Sequence, residues 1–186
     1  ILHPDAPPGQ AEAGGFLRSI GAAKSPITSL ERESMGGPEQ AKAKYKTFTF
    51  RTSTTWTEGT SGTVASEGKP SLKVSNPVEF RGEPGIWTPE DMFVAAVEAC
   101  HMATFLSFAA KKELPIISYT SHANGVLEYI EGDYRFTRIV IFPTIVVGAS
   151  VSEAVVHATL REAQRHCLVA NSIASIVEVN PTLVME

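Results

Sequence analysis

The chain has 186 residues, of which 43% are hydrophobic and 19% are charged, and its formal net charge at pH 7 is −4. This length allows one sizeable hydrophobic core, and this composition is typical of a globular domain. The acidic balance and the lack of a basic run argue against a nucleic-acid-binding protein. Lys111 and Lys112 end the longest apolar segment, so we expect no membrane span and no membrane partner.

The first part of the chain contains many proline and glycine residues, which interrupt any hydrophobic period. We interpret residues 1–40 as an irregular N-terminal tail and residues 41–186 as one domain. The domain begins with three β-rich runs separated by turns that contain glycine or proline, and such runs predict an antiparallel meander. The three predicted strands are residues 47–56, 63–66 and 72–78.

A long helix is predicted at residues 89–112. Thr88 is a good N-cap, Pro89 suits the first helical position, and Asp91 lies three residues after the cap. Side chains at three- and four-residue steps form one apolar stripe along this helix. The stripe consists of Phe93, Ala96, Val97, Cys100, Thr104 and Phe108. Cys100 therefore lies on the stripe, about three turns into the helix.

Strands and a second helix follow. Two β-rich runs at residues 114–119 and 121–130, a hairpin turn at 131–133 and a long strand at 135–147 are predicted, with Pro143 at a bulge or an edge. The second helix, Glu153–His166, has an apolar stripe that ends in Cys167, and a short helical continuation and a last strand, Ile176–Val179, come after it. The fold class is α+β, with two helices covering an antiparallel sheet.

Cys100 and Cys167 are the two cysteines of the chain. No secretory signal is visible, so we expect a cytoplasmic protein whose cysteines do not form a permanent bridge. If the two helices pack side by side, about 8–10 Å apart, their facing thiols can meet. One interpretation is a peroxidatic and resolving pair, in which a thiolate attacks a peroxide and the resulting sulfenic acid condenses with the second thiol. The other is two buried structural cysteines.

A zinc site is a weaker alternative. Cys100–His101 and His166–Cys167 supply thiols and imidazoles, but neighbours on a helix point about 100° apart and chelate one ion poorly. We expect no metal and no cofactor, with both histidines as polar residues at the rim of the site or in the layer that supports the thiols. Glu98 is expected on a solvated face. Trp56 and Trp87 are expected to pack in the core, and Trp87 is also placed to line an apolar substrate channel.

Three separated segments of the chain carry a family resemblance. Residues 85–102, GIWTPEDMFVAAVEACHM, resemble the central-helix motif of the OsmC and organic hydroperoxide resistance family. Residues 161–173, REAQRHCLVANSI, resemble the family's second cysteine segment, and residues 56–77 resemble its N-terminal meander. The resemblance covers about residues 41–186 and leaves the tail unmatched.

The resemblance implies an intertwined homodimer of α+β subunits that reduces organic hydroperoxides with cysteine thiols and without metal or haem. It assigns the peroxidatic cysteine to Cys100 and the resolving cysteine to Cys167. Glu90 matches the glutamate that pairs with a catalytic arginine. The implied reductant is a small dithiol or a thiol protein, and Trp87, Phe93 and Val97 are the expected surface for the alkyl group of the substrate.

The chain departs from the family pattern at two positions. The hairpin stretch that carries the family's arginine is Gly-Thr-Ser-Gly here, residues 59–62, so Arg81 or Arg51 is the expected replacement. Leu168 follows the second cysteine, where proline is common. The chain therefore resembles a divergent branch, and the alternative function is a non-enzymatic ligand-binding or stress-related protein with an inert thiol pair.

Overall fold

The computed structural model of the chain describes residues 46–186, of which Phe48–Glu186 form one compact unit. The predicted tail, residues 1–40, lies outside the described residues. The described part contains seven strands, two α-helices and two short 3-10 helices. They are β1 Ser53–Glu58, β2 Ser61–Ala65, β3 Leu72–Val74, a 3-10 helix at Val78–Phe80, α1 Pro89–Lys111, β4 Ile116–Ile130, β5 Asp133–Val147, α2 Glu153–His166, a 3-10 helix at Ala170–Ser172, β6 Ile176–Val179 and β7 Thr182–Met185.

The strands form two sheets. β1, β2 and β3 make the predicted antiparallel meander. In the second sheet β4 and β5 pair antiparallel, while β6 and β7 both pair with β5 in parallel. The expected α+β class is confirmed, but the second sheet is mixed rather than antiparallel, and β7 was not predicted. The two runs expected after the first helix are one continuous strand, β4.

Pro143 lies at neither a bulge nor an edge strand, which corrects the sequence prediction. It occupies the middle of β5, in regular register opposite Ser121. On the other side of β5, the pairing with β6 ends at Ile141 and the pairing with β7 begins at Thr144. The missing N–H of the proline therefore falls in the gap between the two parallel partners, where it removes no ladder hydrogen bond on that side.

The long helix begins where the sequence predicts. The Thr88 hydroxyl accepts a hydrogen bond from the Asp91 N–H at 3.0 Å, and the Asp91 carboxylate accepts one from the Thr88 N–H at 3.0 Å. This capping box satisfies two N–H groups that the first turn leaves without intrahelical acceptors.

Both helices cover one face of the mixed sheet. The larger core cluster joins α1, β5 and α2 through fully or nearly fully buried apolar side chains. Its members are Phe105, Ala109, Ile145, Val147, Val156, Leu160 and Ala163. A second cluster, around Val97, Ile139 and Ile141, lies under the first half of α1. The mixed sheet and α2 thus fix the position and rotation of α1.

The expectation that no segment is long enough for a membrane span is wrong. α1 has 23 residues, and an 18-residue window within it has a mean hydropathy of 1.5, so the helix is long and apolar enough by length and composition. Its Lys residues stand at the very end and do not shorten it. In this fold Val97, Phe105 and Ala109 of the helix are buried against the sheet and α2, which is the role of a core helix.

Candidate redox site

Cys100 lies in the middle of α1 and is half-buried. The residues of α1 that are fully buried are Val97, His101, Phe105 and Ala109, so the buried line runs beside the predicted stripe rather than along it. Cys100 stands next to that line, at the boundary between the core and the surface. A thiol in this position is supported by the core on one side and remains accessible on the other.

Cys167 lies one residue beyond α2, which corrects its expected place on the helical stripe. It is the C-cap residue, with an extended backbone (φ −68°, ψ 109°), and its side chain has no exposed surface. The chain then turns, and the Asn171 N–H donates to the Cys167 carbonyl oxygen at 3.0 Å. Val169 and Ala170 pack against the cluster around Val97. The turn after α2, residues 167–173, is therefore anchored beside α1.

The two thiols lie close enough for each to shift the pKa of the other. Burial raises the pKa of the Cys100 thiol, but hydrogen bonds outweigh it and hold that pKa below its ordinary value. The donors are the Val169 N–H, the Cys167 thiol, the Thr104 hydroxyl and the Leu168 N–H. Cys100 is therefore the thiol that is more readily ionised.

The Thr104 hydroxyl lowers the pKa of Cys100 less than a full-time hydrogen bond to the sulfur would. It also donates to the Cys100 carbonyl oxygen at 2.8 Å, and its single hydrogen serves one acceptor at a time. Helical geometry keeps that carbonyl in place, so the backbone bond is the one we expect to persist. The N–H groups of the turn after α2 and the Cys167 thiol remain as the main donors to the sulfur.

Cys167 has the opposite electrostatic environment. Burial raises the pKa of its thiol to about 11, and both the hydrogen bond to Cys100 and the charge of Cys100 act in the same direction. The N–H groups of Ala170 and Val169 offset only part of this effect. Of the two thiols, Cys100 is therefore the one that ionises at the lower pH, and Cys167 stays protonated at neutral pH.

Within residues 46–186, no cationic side chain is among the groups that set the pKa of Cys100. Arg81 is exposed, ends the 3-10 helix at Val78–Phe80 with a left-handed backbone (φ 64°), and makes no ion pair in the described chain. Arg51 is also exposed. The structure thus brings neither arginine to the two thiols within one copy of the chain.

Glu90 lies near the start of α1, and its Oε2 atom is buried without a hydrogen-bond partner. Ten residues separate it from Cys100, which places the two about 15 Å apart along the helix axis. Glu90 therefore does not touch the thiol directly. Within the described residues, its Oε2 atom has no partner.

The three predicted substrate-contacting residues have different environments. Trp87 is 49% exposed, which corrects its expected burial, and its carbonyl oxygen accepts from the Ser75 N–H. Phe93 is half-buried, with its ring 4.9 Å from that of Phe136. Val97 is fully buried with Ile139, so it supports the site from beneath and lines no open surface.

Three other expectations about polar and aromatic residues are corrected. Trp56 is 72% exposed rather than in the core. Glu98 is half-buried and accepts a hydrogen bond from the Ser121 hydroxyl at 2.5 Å, rather than lying on a solvated face. His101 is not near the surface but is 1% exposed, and burial lowers its pKa.

Neither ring nitrogen of His101 has a hydrogen-bond partner. His101 lies four residues after Val97 and four residues before Phe105, and this helical spacing was the sequence signal for its burial. His166 stacks its ring against Phe108, with 5.4 Å between centroids. In the part of the chain that the structure describes, no group of three or more potential ligands is placed to hold a metal ion.

Sequence reasoning missed the backbone donors to the Cys100 sulfur. The N–H groups of Leu168 and Val169 carry no side-chain signature, so composition and spacing do not reveal them. The one available signal was Leu168 itself, because a proline at that position has no N–H to donate.

Comparison with known proteins gives one family and several similar folds. A family model described as OsmC-like protein matches residues 82–182. An OsmC-like protein of unknown function from Vibrio cholerae O1 biovar eltor is similar in structure, with a TM-score of 0.68 and 24% identity over 73% of this chain and 100% of that chain. No protein with a curated description matches the chain.

Two further solved structures are similar. An organic hydroperoxide resistance protein OsmC from Legionella pneumophila has a TM-score of 0.60 and 20% identity over 75% of this chain and 98% of that chain. An organic hydroperoxide resistance protein from Elizabethkingia anophelis has a TM-score of 0.61 and 20% identity over 76% of this chain and 99% of that chain. At these identities the likeness concerns the fold.

Proposed function

The chain belongs to the OsmC-like family, and from this premise we propose that it is a thiol-dependent peroxidase that reduces organic hydroperoxides. The observation that carries the proposal is the pairing of Cys100, whose pKa is lowered, with a protonated Cys167 close enough to affect it. A peroxidatic cysteine must react as the thiolate, and a resolving cysteine must lie close to it. The similar proteins from Legionella pneumophila and Elizabethkingia anophelis are described as organic hydroperoxide resistance proteins.

The reaction proceeds in two steps. The Cys100 thiolate attacks the terminal peroxide oxygen, a sulfur–oxygen bond forms, the O–O bond breaks, and the alkoxide takes a proton and leaves as an alcohol. The sulfur is now a sulfenic acid. The Cys167 sulfur then attacks it, a disulfide forms, and the leaving hydroxide departs as water with the proton from Cys167. A small dithiol or a thiol protein returns two electrons and two protons to the pair.

We propose that the substrate is an organic hydroperoxide rather than hydrogen peroxide, because the surroundings of the thiols are apolar. Leu168 is 77% exposed beside Cys167, and we propose Phe93 and Trp87, farther toward the start of α1, as contacts for the distal part of the alkyl group. An alkyl chain gains about 25 cal/mol for each Å² of apolar surface that it buries. We propose that this activity belongs to the reducing cytoplasm, where cysteines are kept as free thiols.

Stopped-flow kinetics with cumene hydroperoxide test this proposal. We expect wild type to turn over with a dithiol and Cys100→Ser to be inactive. Cys167→Ser should consume one equivalent of hydroperoxide and stop, with a sulfenic acid that dimedone traps. The same assay with hydrogen peroxide should be slower. Activity of Cys100→Ser equal to that of wild type contradicts the assignment of the peroxidatic cysteine.

Glu90 and an arginine complete the proposed site. The unpaired Oε2 atom of Glu90 is a suitable acceptor for a guanidinium group. Arg81 and Arg51 are the candidates, and we expect Arg81→Ala or Arg51→Ala to slow peroxide reduction if that residue reaches Glu90 in the assembled protein. If neither substitution changes the rate, the hydrogen bonds around Cys100 suffice for the chemistry without an arginine.

The absence of a cation from the contacts of Cys100 favours the alternative, a non-enzymatic ligand-binding protein on the same scaffold. The pH dependence of alkylation distinguishes the two. A midpoint below about 8.5, the unperturbed value for cysteine, supports the peroxidase. A midpoint at or above that value, together with no turnover, supports the binding protein.

We further propose that the functional protein is a homodimer. Phe48, Phe50 and Trp56, in and before β1, are 75%, 91% and 72% exposed in one copy of the chain. The outer face of α1 is also apolar, with Met102 and Ala103 exposed. A helix that is apolar on all sides is typically buried on all sides, and large exposed apolar patches mark interfaces. A second copy is the occupant that would cover both surfaces.

Light scattering at micromolar concentration tests the dimer. We expect wild type to be dimeric and Ala103→Glu, on the outer face of α1, to dissociate. Ala154→Glu is the matched control, because Ala154 is also an exposed helical alanine but lies on α2. A monomeric wild type, or equal behaviour of the two variants, contradicts this interface.

A further inference from the structure

The outer face of α2 carries two arginines without an acidic partner. Arg161 and Arg165 are exposed and lie four residues apart, so their side chains stand on the same side of the helix. Within residues 46–186 neither arginine forms an ion pair. Like charges at this spacing repel each other, so the pair does not stabilise the helix. Both guanidinium groups are therefore available to an anionic group from outside the described chain.

The acidic side chains of the neighbouring positions are already paired. Glu162, the next residue on α2, contacts the Lys112 Nζ atom at 2.6 Å, and Glu178 on β6 contacts the Arg138 Nε atom at 3.8 Å. The hydrogen bond from Lys112 is the main cause of the lowered pKa of Glu162, and the charge of Arg165 adds less. The whole chain has a net charge of −4, so this face is a positive exception on an acidic protein.

The two arginines line a surface groove. It has a volume of about 550 Å³, and its lining consists of Ala158, Arg161, Gln164 and Arg165. The Gln164 Nε2 atom donates to the Val177 carbonyl oxygen at 2.9 Å, which ties this side chain to β6. Guanidinium groups bind carboxylates with two parallel hydrogen bonds. The groove is therefore suited to acidic side chains of a partner.

The arginine pair lies next to the redox site. Arg165 precedes Cys167 by two residues, and Arg161 precedes it by six, which is about 9 Å along the helix axis. Leu168 follows Cys167, and its side chain is 77% exposed. Transient redox complexes bury less than about 1,200 Å² in total, which is a patch of roughly 14 Å radius on each partner. A partner centred on Leu168 therefore covers both arginines.

We propose that this face of α2 docks the protein that reduces the Cys100–Cys167 disulfide, and that this partner is a dithiol protein with carboxylates around its redox cysteines. The inference rests on the proposed function, because it names the reductant of the same thiol pair. Opposite charges speed the encounter of two proteins, and like charges suppress it. A small uncharged dithiol has no such advantage at this surface.

The reduction consists of two exchange steps. A thiolate of the partner attacks the Cys100 sulfur, because Cys167 has no exposed surface. The Cys100–Cys167 bond breaks, a mixed disulfide forms, and the Cys167 sulfur leaves and takes a proton. The second thiolate of the partner then attacks the partner's sulfur in the mixed disulfide, which closes the partner's disulfide and releases Cys100. Two electrons pass to the cysteine pair, with the two protons that the partner's thiols release.

The test is the rate at which three peptides reduce the disulfide, which is formed beforehand with diamide and without a peroxide. Each peptide contains the dithiol Cys-Gly-Pro-Cys, extended by a run of glutamate, glutamine or lysine. The variant Arg161→Glu/Arg165→Glu is compared with wild type and with Lys69→Glu/Arg135→Glu. The second variant is the matched control, because it changes the net charge equally at exposed positions outside α2.

At an ionic strength of about 0.01 M, where the Debye length is about 30 Å, we expect the glutamate peptide to reduce wild type at least about tenfold faster than Arg161→Glu/Arg165→Glu. The lysine peptide should reduce the variant faster than wild type. The glutamine peptide and dithiothreitol should reduce both at similar rates, and the control variant should behave like wild type. At about 1 M salt, where the Debye length is about 3 Å, these differences should disappear.

Equal rates of the glutamate peptide with wild type and Arg161→Glu/Arg165→Glu overturn the proposal. An equal loss in the control variant also overturns it, since the effect then belongs to net charge. A glutamine peptide that reduces wild type as fast as the glutamate peptide assigns the reductant role to uncharged dithiols. Should the variant fail to fold, the salt dependence of the wild-type rates with these two peptides decides.

The assay separates this proposal from the proposed function, because it needs no hydroperoxide. Arginine-dependent reduction without hydroperoxide turnover refutes the peroxidase while the docking surface stands. Hydroperoxide turnover with charge-independent reduction refutes only the docking surface. Failure of diamide to join Cys100 and Cys167 contradicts both.

Discussion

Replacement of His101 by leucine should stabilise the protein and remove part of its pH dependence. His101 is 1% exposed, and neither ring nitrogen has a hydrogen-bond partner. A buried polar group without a partner costs about 1–3 kcal/mol. Leucine has a similar volume, so it leaves no large cavity, and an imperfect fit of its branched end costs about 1 kcal/mol. The difference is a net increase of about 0–2 kcal/mol in the free energy of unfolding at pH 8.

The pH dependence has a definite sign. Burial lowers the pKa of His101 below the value of 6.5 that it has when unperturbed. Below about pH 6.5 the unfolded chain therefore binds a proton that the folded chain does not. Above pH 6.5 this proton does not affect the free energy of unfolding. As the pH falls from 6.5 toward the lowered pKa of His101, the free energy of unfolding of wild type decreases. His101→Leu has no such loss, so its advantage over wild type should grow as the pH decreases.

Urea unfolding from pH 5 to pH 8 measures both effects, at one fixed protein concentration because a dimer's stability depends on concentration. Carboxylates titrate in both proteins and cancel in the difference. His122→Leu is the control, since that exposed imidazole stacks on Phe142 at 4.9 Å and shows no comparable burial. A His101→Leu variant that is less stable than wild type, with a difference independent of pH, refutes the reasoning and indicates a hydrogen-bonded imidazole.

Two further predictions concern local packing. Thr88→Ala removes the side chain of the capping box at the start of α1 and should lower the free energy of unfolding by about 1 kcal/mol. The exposed Thr120→Ala is its control in urea unfolding, and equal effects would show that the cap contributes nothing. Gly125→Ala places a Cβ atom 2.4 Å from Val94 Cγ2 and 2.9 Å from Phe136 Cε1, so overpacking should cost about 1–3 kcal/mol. The Cβ atom that Gly148→Ala adds meets only Pro115, at 3.4 Å from its Cγ, so the urea midpoint of this variant should remain closer to that of wild type. A lower midpoint for Gly148→Ala than for Gly125→Ala would contradict this packing.

Local chemistry in the sequence determined the helices. The start of α1 follows from Thr88, Pro89 and Asp91, which act within one turn of one another and need no tertiary partner. The bounds of α2 follow from its apolar spacing, which ends near its last turn, although Ser152 at its start makes no side-chain capping hydrogen bond. The hairpin between β4 and β5 was predicted from the short turn that contains Gly132. These signals are short-range, so a single sequence carries them.

Tertiary structure decided the pairing of the strands. β6 and β7 both lie parallel to β5, although only two residues separate these two strands in the sequence. Parallel neighbours are joined through distant parts of the chain, and no adjacent residues specify them. The place of Pro143 in the gap between these two partners is a consequence of that pairing, and so the sequence alone misplaced it.

The candidate site shows the same division. The sequence determined which residues carry the chemistry, because two cysteines near two apolar helices limit the choice to Cys100 and Cys167. The structure decided which thiol ionises, since the outcome depends on burial and on backbone donors of the turn after α2. A backbone N–H is common to every residue except proline, so the sequence alone does not show which of them affect the ionisation of Cys100.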